Sequence, residues 1–193
     1  MNMLDIITKK KNKEVLTHEE LYYAFNGYLN KEIPDYQMTS LLMAIVINGL
    51  TFEETFDLTK IFIDSGETFK FDKKVCDKHS TGGIGDTVTL VAIPILGTLN
   101  IPVVKMSGRG LGITGGTIDK LESIPGFNVN LTKEDYYNNL EKIGIVVGAQ
   151  TNDLVPLDKV IYALRDVSGT TESIPLIASS IMSKKIACGA DYI

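Results

Sequence analysis

The sequence predicts a two-lobed α/β protein, a helical lobe joined to an α/β lobe with a mainly parallel sheet. Three observations carry this. Residues 1–65 read as capped amphipathic helices, residues 66–157 alternate apolar strands, glycine-rich loops and helices, and residues 158–193 return to helix. The order helical, α/β, helical implies that the chain passes between the lobes more than once. With 193 residues and 44% apolar side chains the chain is long enough to bury a real core. Its 19 Lys and Arg against 24 Asp and Glu give a net charge of −5, which argues against electrostatic nucleic-acid binding. No run of 18 apolar residues exists, and the first residues, MNMLDIITKKKNKE, lack the apolar core of a signal peptide. Cys76 and Cys188 sit in no metal-like spacing. The expectation is a soluble cytoplasmic protein whose reduced thiols serve packing.

The first lobe is read from its caps. Thr17-His-Glu-Glu20 and Thr51-Phe-Glu-Glu54 are capping boxes, each ahead of an apolar run. Between them Met38, Leu41, Leu42 and Ile45 recur at i, i+3, i+4 and i+7. Pro34-Asp35 starts that helix and Asn48-Gly49 ends it. The basic run Lys9, Lys10, Lys11 and Lys13 is expected on a solvated face. Past residue 65 the pattern shifts. Val75-Cys76 is a short apolar step, Val88 to Leu99 a buried helix despite Pro94, and Ile101 to Met106 a strand. Thr117 to Ser123 and Glu134 to Ile143 read as helices, with Ile145 to Val147 a second strand. Asp158 to Arg165 and Pro175 to Cys188 close the chain as helices, Pro175 at a favoured first-turn position.

Two glycine-rich loops carry the chemistry. Gly110-Leu-Gly-Ile-Thr-Gly115 matches G-x-G-x-x-G between a strand and a helix, the pattern of a dinucleotide site. It lies in mid-chain, however, and the acidic residue at the expected distance, Asp135, falls inside a helix. An anion site accounts for more residues. The first loop, Lys78 to Gly83, offers a cation, the hydroxyls of Ser80 and Thr81, and glycine N–H groups. The second adds Ser107, Arg109, Thr114 and Thr117. Both precede helices, whose first N–H groups favour negative charge. Neither matches the Walker pattern, and no acidic or histidine cluster suits a divalent metal. A bare phosphate or a phosphoribosyl group fits best. Later, Tyr162 and Arg165 share one helix face, and Ser180 and Lys184 another. Polar residues are few among Ile174, Pro175, Leu176, Ile177, Ile181 and Met182, so a cation there is expected to line a cleft.

These words resemble the pyrimidine-nucleoside phosphorylase and thymidine phosphorylase family. The matching stretches are Lys78-His-Ser-Thr-Gly-Gly-Ile-Gly-Asp86, Ser107-Gly-Arg-Gly-Leu-Gly112, Thr114-Gly-Gly-Thr-Ile-Asp-Lys-Leu-Glu-Ser-Ile-Pro-Gly-Phe127, Tyr162-Ala-Leu-Arg-Asp166 and Ser173 to Lys185. The resemblance implies phosphorolysis of uridine, deoxyuridine or thymidine to free base and (deoxy)ribose 1-phosphate, by a homodimer joined through its helical lobe. By motif position it implies that Lys78, Ser80, Thr89, Ser107 and Thr117 bind phosphate, with inorganic phosphate as co-substrate. It places Leu111, Tyr162, Arg165, Ser180 and Lys184 at the nucleoside and gives His79, Arg165 and Lys184 the catalytic work. Gly85 and Thr87 match positions that help hold a potassium ion. Lys105 before Met106 resembles the branch that accepts uridine as well as deoxynucleosides.

Two departures accompany the match. Ile113 stands where the family usually has His, and members are roughly twice this length, so the chain corresponds to an N-terminal portion with an incomplete α/β lobe. The rival enzymatic reading is an anthranilate-type phosphoribosyltransferase, which would need diphosphate and Mg²⁺. The non-enzymatic rival is a binding or dimerisation remnant without turnover.

Overall fold

The computed structural model describes residues 1–80, 86–108 and 115–193. In chain order these form α1 (Met3–Lys11), α2 (His18–Leu29), α3 (Asp35–Asn48), α4 (Phe52–Asp64), α5 (Val88–Thr98), β1 (Val103–Ser107), α6 (Thr117–Glu122), α7 (Lys133–Ile143), β2 (Ile145–Ala149), α8 (Pro156–Ser168) and α9 (Ile174–Ala187). They divide into a helical unit, Met1–Glu67 with Val155–Ser183, and an α/β unit, Thr68–Leu154 with Lys184–Ile193.

In the helical unit both capping boxes close as the sequence dictates. The Thr17 hydroxyl accepts from Glu20 N at 3.3 Å while Glu20 accepts from Thr17 N at 2.8 Å; Thr51 and Glu54 repeat the exchange at 3.1 and 2.7 Å. Gly49, at φ +72°, ends α3 in the backbone region that favours glycine. The apolar stripes meet in a core of Leu21, Ala24 and Phe25 from α2, Leu41, Leu42 and Ile45 from α3, and Leu58 and Phe62 from α4. α8 adds Leu157 and Ile161 to the buried set. Each large side chain there contributes about 1.5–3 kcal/mol by leaving water. Phe25 and Phe62 meet edge to face with centroids 5.8 Å apart.

One element of the basic run departs from expectation. Lys10 is 3% exposed, and its ammonium lies 2.8 Å from the equally buried Glu54 carboxylate. The same carboxylate accepts from Leu16 N at 2.8 Å and Thr51 N at 2.7 Å. The solvated-face reading therefore fails for Lys10. A buried lysine is tolerated because its counter-charge is fixed by two backbone donors.

In the α/β unit β1 and β2 pair in parallel, Val103 opposite Ile145 through to Ser107 opposite Ala149. Cys76 extends this pairing by parallel bridges to Val103 and Tyr192. Val104 N donates to Cys76 O at 3.0 Å and Asp77 N to Tyr192 O at 2.8 Å. These bonds explain why the last turn of α9 and the residues after it belong with the α/β unit. The sequence pattern places all of 158–193 with the helical lobe, because a helix period says nothing about which unit its last turn packs on. Pro94 sits inside α5 without ending it. Gly97 lets α5 approach β2, since a Cβ there would lie 3.0 Å from the Ile145 side chain. Cys188 is fully buried, and burial pushes its thiol up to about 12, as suits a packing residue. Among the described residues no helix is long and apolar enough to cross a membrane.

Candidate functional site

In the α/β unit a set of charged and hydroxyl side chains gathers between the strand ends and the starts of α5 and α6. Its centre is Asp86, 8% exposed. The Lys78 ammonium lies 2.5 Å from Asp86 Oδ1. Thr89 donates its N–H to Oδ1 at 3.1 Å and its hydroxyl to Oδ2 at 2.5 Å, and the Thr117 hydroxyl reaches Oδ2 at 3.4 Å. Burial would raise this carboxyl, but Lys78 and the two Thr89 donors outweigh it and hold it well below the usual carboxylate range. Three of the five residues expected at phosphate are thus joined through one carboxylate. Of the others, Ser107 ends β1, half-buried, with its carbonyl accepting from Gln150 N at 3.2 Å, and Ser80 is half-buried beside His79.

Beneath Asp86 lies Lys105, 2% exposed on β1. Its ammonium donates to the Lys78 carbonyl and stands 3.9 Å from both Asp77 and Asp86. Burial, reinforced by the nearby Lys185 ammonium, lowers Lys105 to about 8 against the pull of the two aspartates. Lys185 in turn lies 2.8 Å from Asp77 Oδ2 and donates to Met106 O at 3.2 Å. Burial raises the Asp77 carboxyl, opposed by Lys185 and Lys105. Three ammonium groups and two carboxylates leave one positive charge over, beside helix N-termini that also favour anions.

Asp77, Asp86 and Lys185 are the partners that sequence reasoning missed as site residues, and Lys105 entered there only as a mark of substrate range. A signal was available in two of them. Asp77 closes the apolar step Val75-Cys76 directly before Lys78, and Lys185 doubles Lys184 just before Ile186, Ala187 and Cys188.

His79 is half-buried, and its Nδ1 has no hydrogen-bond partner among the described residues. Thr87 is exposed at the start of α5, and its side chain makes no capping hydrogen bond to that helix. Gly85, Leu111, Ile113, Arg109 and Thr114 lie outside the described residues. Lys184 is half-buried in the last turn of α9.

The helical unit holds the remaining expected residues. Arg165, 3% exposed, donates Nε to Thr170 O at 3.0 Å and Nη2 to Thr171 O at 2.9 Å, fixing the turn between α8 and α9. Burial lowers its affinity for the proton, though a guanidinium stays charged. Tyr162, one helical turn before it, is half-buried, and burial with Asp158 raises its phenol. Ser180 is buried, its carbonyl accepting from the Ser183 hydroxyl at 3.2 Å.

Comparison with known proteins agrees with both units. A model of the glycosyl transferase family, a/b domain, matches residues 72–193, and one of the glycosyl transferase family, helical bundle domain, matches residues 4–66. Over its whole length the chain is 54% identical to pyrimidine-nucleoside phosphorylase from Geobacillus stearothermophilus and 55% identical to that from Bacillus subtilis, covering 45% of each. It is likewise 54% identical to thymidine phosphorylase from Mycoplasmoides pirum, covering 47% of that protein. The chain therefore spans under half the length of the relatives it matches. In structure it resembles anthranilate phosphoribosyltransferase from Thermus thermophilus, with a TM-score of 0.75 at 19% identity over 98% of this chain and 57% of that one. That likeness shows the fold alone. On these grounds the chain belongs to the glycosyl transferase family that the two domain models describe, with pyrimidine-nucleoside and thymidine phosphorylases among its relatives.

Proposed function

We propose that this chain supplies the phosphate-binding and base-binding residues of a pyrimidine-nucleoside phosphorylase. The observation that carries the reading is the convergence of Lys78, Thr89 and Thr117 on Asp86, above a buried lysine and next to two helix starts. Such a set favours a small, strongly charged anion. Lys78, Ser80, Thr89, Ser107 and Thr117 would hold phosphate. A phosphate oxygen attacks C1′ as the bond to the base breaks, and the bonding pair leaves with the pyrimidine. Arg165 and Lys184 would stabilise that departing anion, with Leu111, Tyr162 and Ser180 contacting the nucleoside. His79, whose Nδ1 has no partner among the described residues, would deliver the proton that the base takes up. Lys105 before Met106 supports acceptance of uridine alongside deoxynucleosides.

A potassium ion at Gly85 and Thr87 belongs to the same proposal; its charge would add to the field that favours phosphate. So do a cytoplasmic setting and homodimerisation through the helical unit, the latter supported by exposed Leu4 on α1 and Tyr36 and Ile47 on α3. Gel filtration would return a monomer if those side chains carry no interface.

The test is release of uracil from uridine and thymine from thymidine by the purified chain, with a phosphate-free control. Phosphate-dependent release upholds the proposal. No release from folded protein overturns turnover by this chain and favours the binding-remnant reading. Turnover needing a 5-phosphoribosyl diphosphate and Mg²⁺ instead would favour the phosphoribosyltransferase reading.

A further inference from the structure

We infer that Lys185 is a positioning residue, holding the Lys78–Ser80 segment in place for an anion through its buried pairing with Asp77. The inference rests on the phosphate-site reading above and names a residue that the reading does not use.

The geometry is that of a three-way junction within the α/β unit. The Lys185 side chain is 5% exposed and that of Asp77 fully buried, so neither meets water. Asp77 Oδ2 forms an ion pair with Lys185 Nζ at 2.8 Å, and its Oδ1 accepts from Lys78 N at 2.6 Å. One carboxylate therefore fixes both the lysine on α9 and the first amide of the segment that carries Lys78, His79 and Ser80. Lys185 Nζ also donates to Met106 O at 3.2 Å, one residue before Ser107. A single ammonium thus ties together the end of the Cys76 bridge, the end of β1 and the last turn of α9. Each of these three places adjoins a residue expected at the substrates: Lys78, Ser107 and Lys184.

Packing alone does not account for this choice. A buried ion pair is often matched in stability by apolar side chains of similar volume, so its value lies in the geometry it imposes. Here the carboxylate's second oxygen sets the direction of the Lys78 backbone. The Lys105 ammonium then reads that direction through its bond to the Lys78 carbonyl. Losing the junction releases the Asp77 side chain from α9 and from the end of β1 while leaving the sheet pairing of Cys76 intact.

Two variants separate positioning from bulk stability. Lys185→Met leaves the buried Asp77 carboxylate with only Lys105, 3.9 Å away, and can simply unfold the unit. Asp77→Asn combined with Lys185→Met removes both charges, keeps an acceptor for Lys78 N, and is expected to melt near the parent temperature. In the parent and this double variant, inorganic phosphate affinity is measured by calorimetry, and hydrogen exchange is followed at the amides of Lys78, His79 and Ser80. The expected result is phosphate binding weakened on the order of tenfold or more, as for removal of other supporting contacts. Exchange should quicken at those amides while the amides of α1 to α4 stay unchanged. Parent-like phosphate affinity and parent-like exchange in a folded double variant would overturn the inference. A parent that binds no phosphate would overturn the phosphate-site reading instead. The exchange arm still decides then: faster exchange confined to Lys78–Ser80 upholds the positioning role, and unchanged exchange sinks it.

Discussion

Each unit buries a lysine against a carboxylate, and the two pairs differ in what surrounds them. In the helical unit Glu54 is enclosed by donors: Lys10, Leu16 N and Thr51 N all reach it. Charge balances one to one there, and the result is a fastener between α1 and α4. In the α/β unit Asp77 and Asp86 face three lysines, so the cluster carries a surplus positive charge. The first arrangement is complete within the protein, whereas the second keeps a surplus charge that the proposed phosphate would balance. Two buried ion pairs of similar length therefore differ in charge balance, closed in the helical unit and open in the α/β unit, where the proposal puts an anion.

The sharpest way to break this contrast is Glu54→Ala. It strands Lys10 as a buried charge and leaves two backbone donors unsatisfied, so urea unfolding should report a loss of about 3–5 kcal/mol. Adding Lys10→Met should return part of that loss. If Glu54→Ala unfolds like the parent, the closed pair is not the fastener described here.

Lys105→Met should behave the other way. Asp77 keeps Lys185 and Asp86 keeps Lys78, so stability should fall less than in Glu54→Ala while phosphate affinity drops. Calorimetry against phosphate, beside a urea titration, checks both halves.

A pH series sharpens the same contrast. Lys105 is lowered to about 8 in the folded chain from a value of 10.5. Below 8 both folded and unfolded forms are protonated there, and the buried ammonium costs stability. Between about 8 and 10.5 the unfolded form binds the extra proton, so this group's contribution rises with pH. Anion affinity should move oppositely, falling as pH passes 8. Sulfate serves as the probe, because it does not titrate in this range. Lys105→Met should lose both trends.

The smallest effect serves as a scale. Thr132 caps α7, accepting from Asp135 N at 3.2 Å on an exposed turn. Thr132→Ala should lower stability by about 1 kcal/mol and leave phosphate binding unchanged.

Much of the fold was legible in the sequence because its helices declare their ends. Thr17, Thr51, Pro34 and Gly49 mark boundaries by local chemistry, and the stripe Met38, Leu41, Leu42 and Ile45 marks one face. The motif words also named Lys78, Thr89 and Thr117, which the structure joins through Asp86. What stayed illegible depends on contacts between distant parts of the chain. Lys10 sits in a run that looks solvated, and only the approach of α4 buries it. The pairing of Asp77 with Lys185 joins residues on opposite sides of the whole α/β segment. Cys76 pairs through isolated bridges, too few residues for a strand period to show. The unit of α9's last turn was invisible for the same reason.

The division of the helical unit into Met1–Glu67 and Val155–Ser183 has a kinetic consequence. As the chain emerges from the ribosome, α1 to α4 can form early, since their caps are local. Leu157 and Ile161 arrive only after everything from Thr68 to Leu154 has been made. Until then the apolar surface that α8 will cover stays in water, and closing the intervening loop must come first. The nascent helical unit is therefore expected to be most prone to aggregation, and most in need of chaperones, during synthesis of the α/β segment.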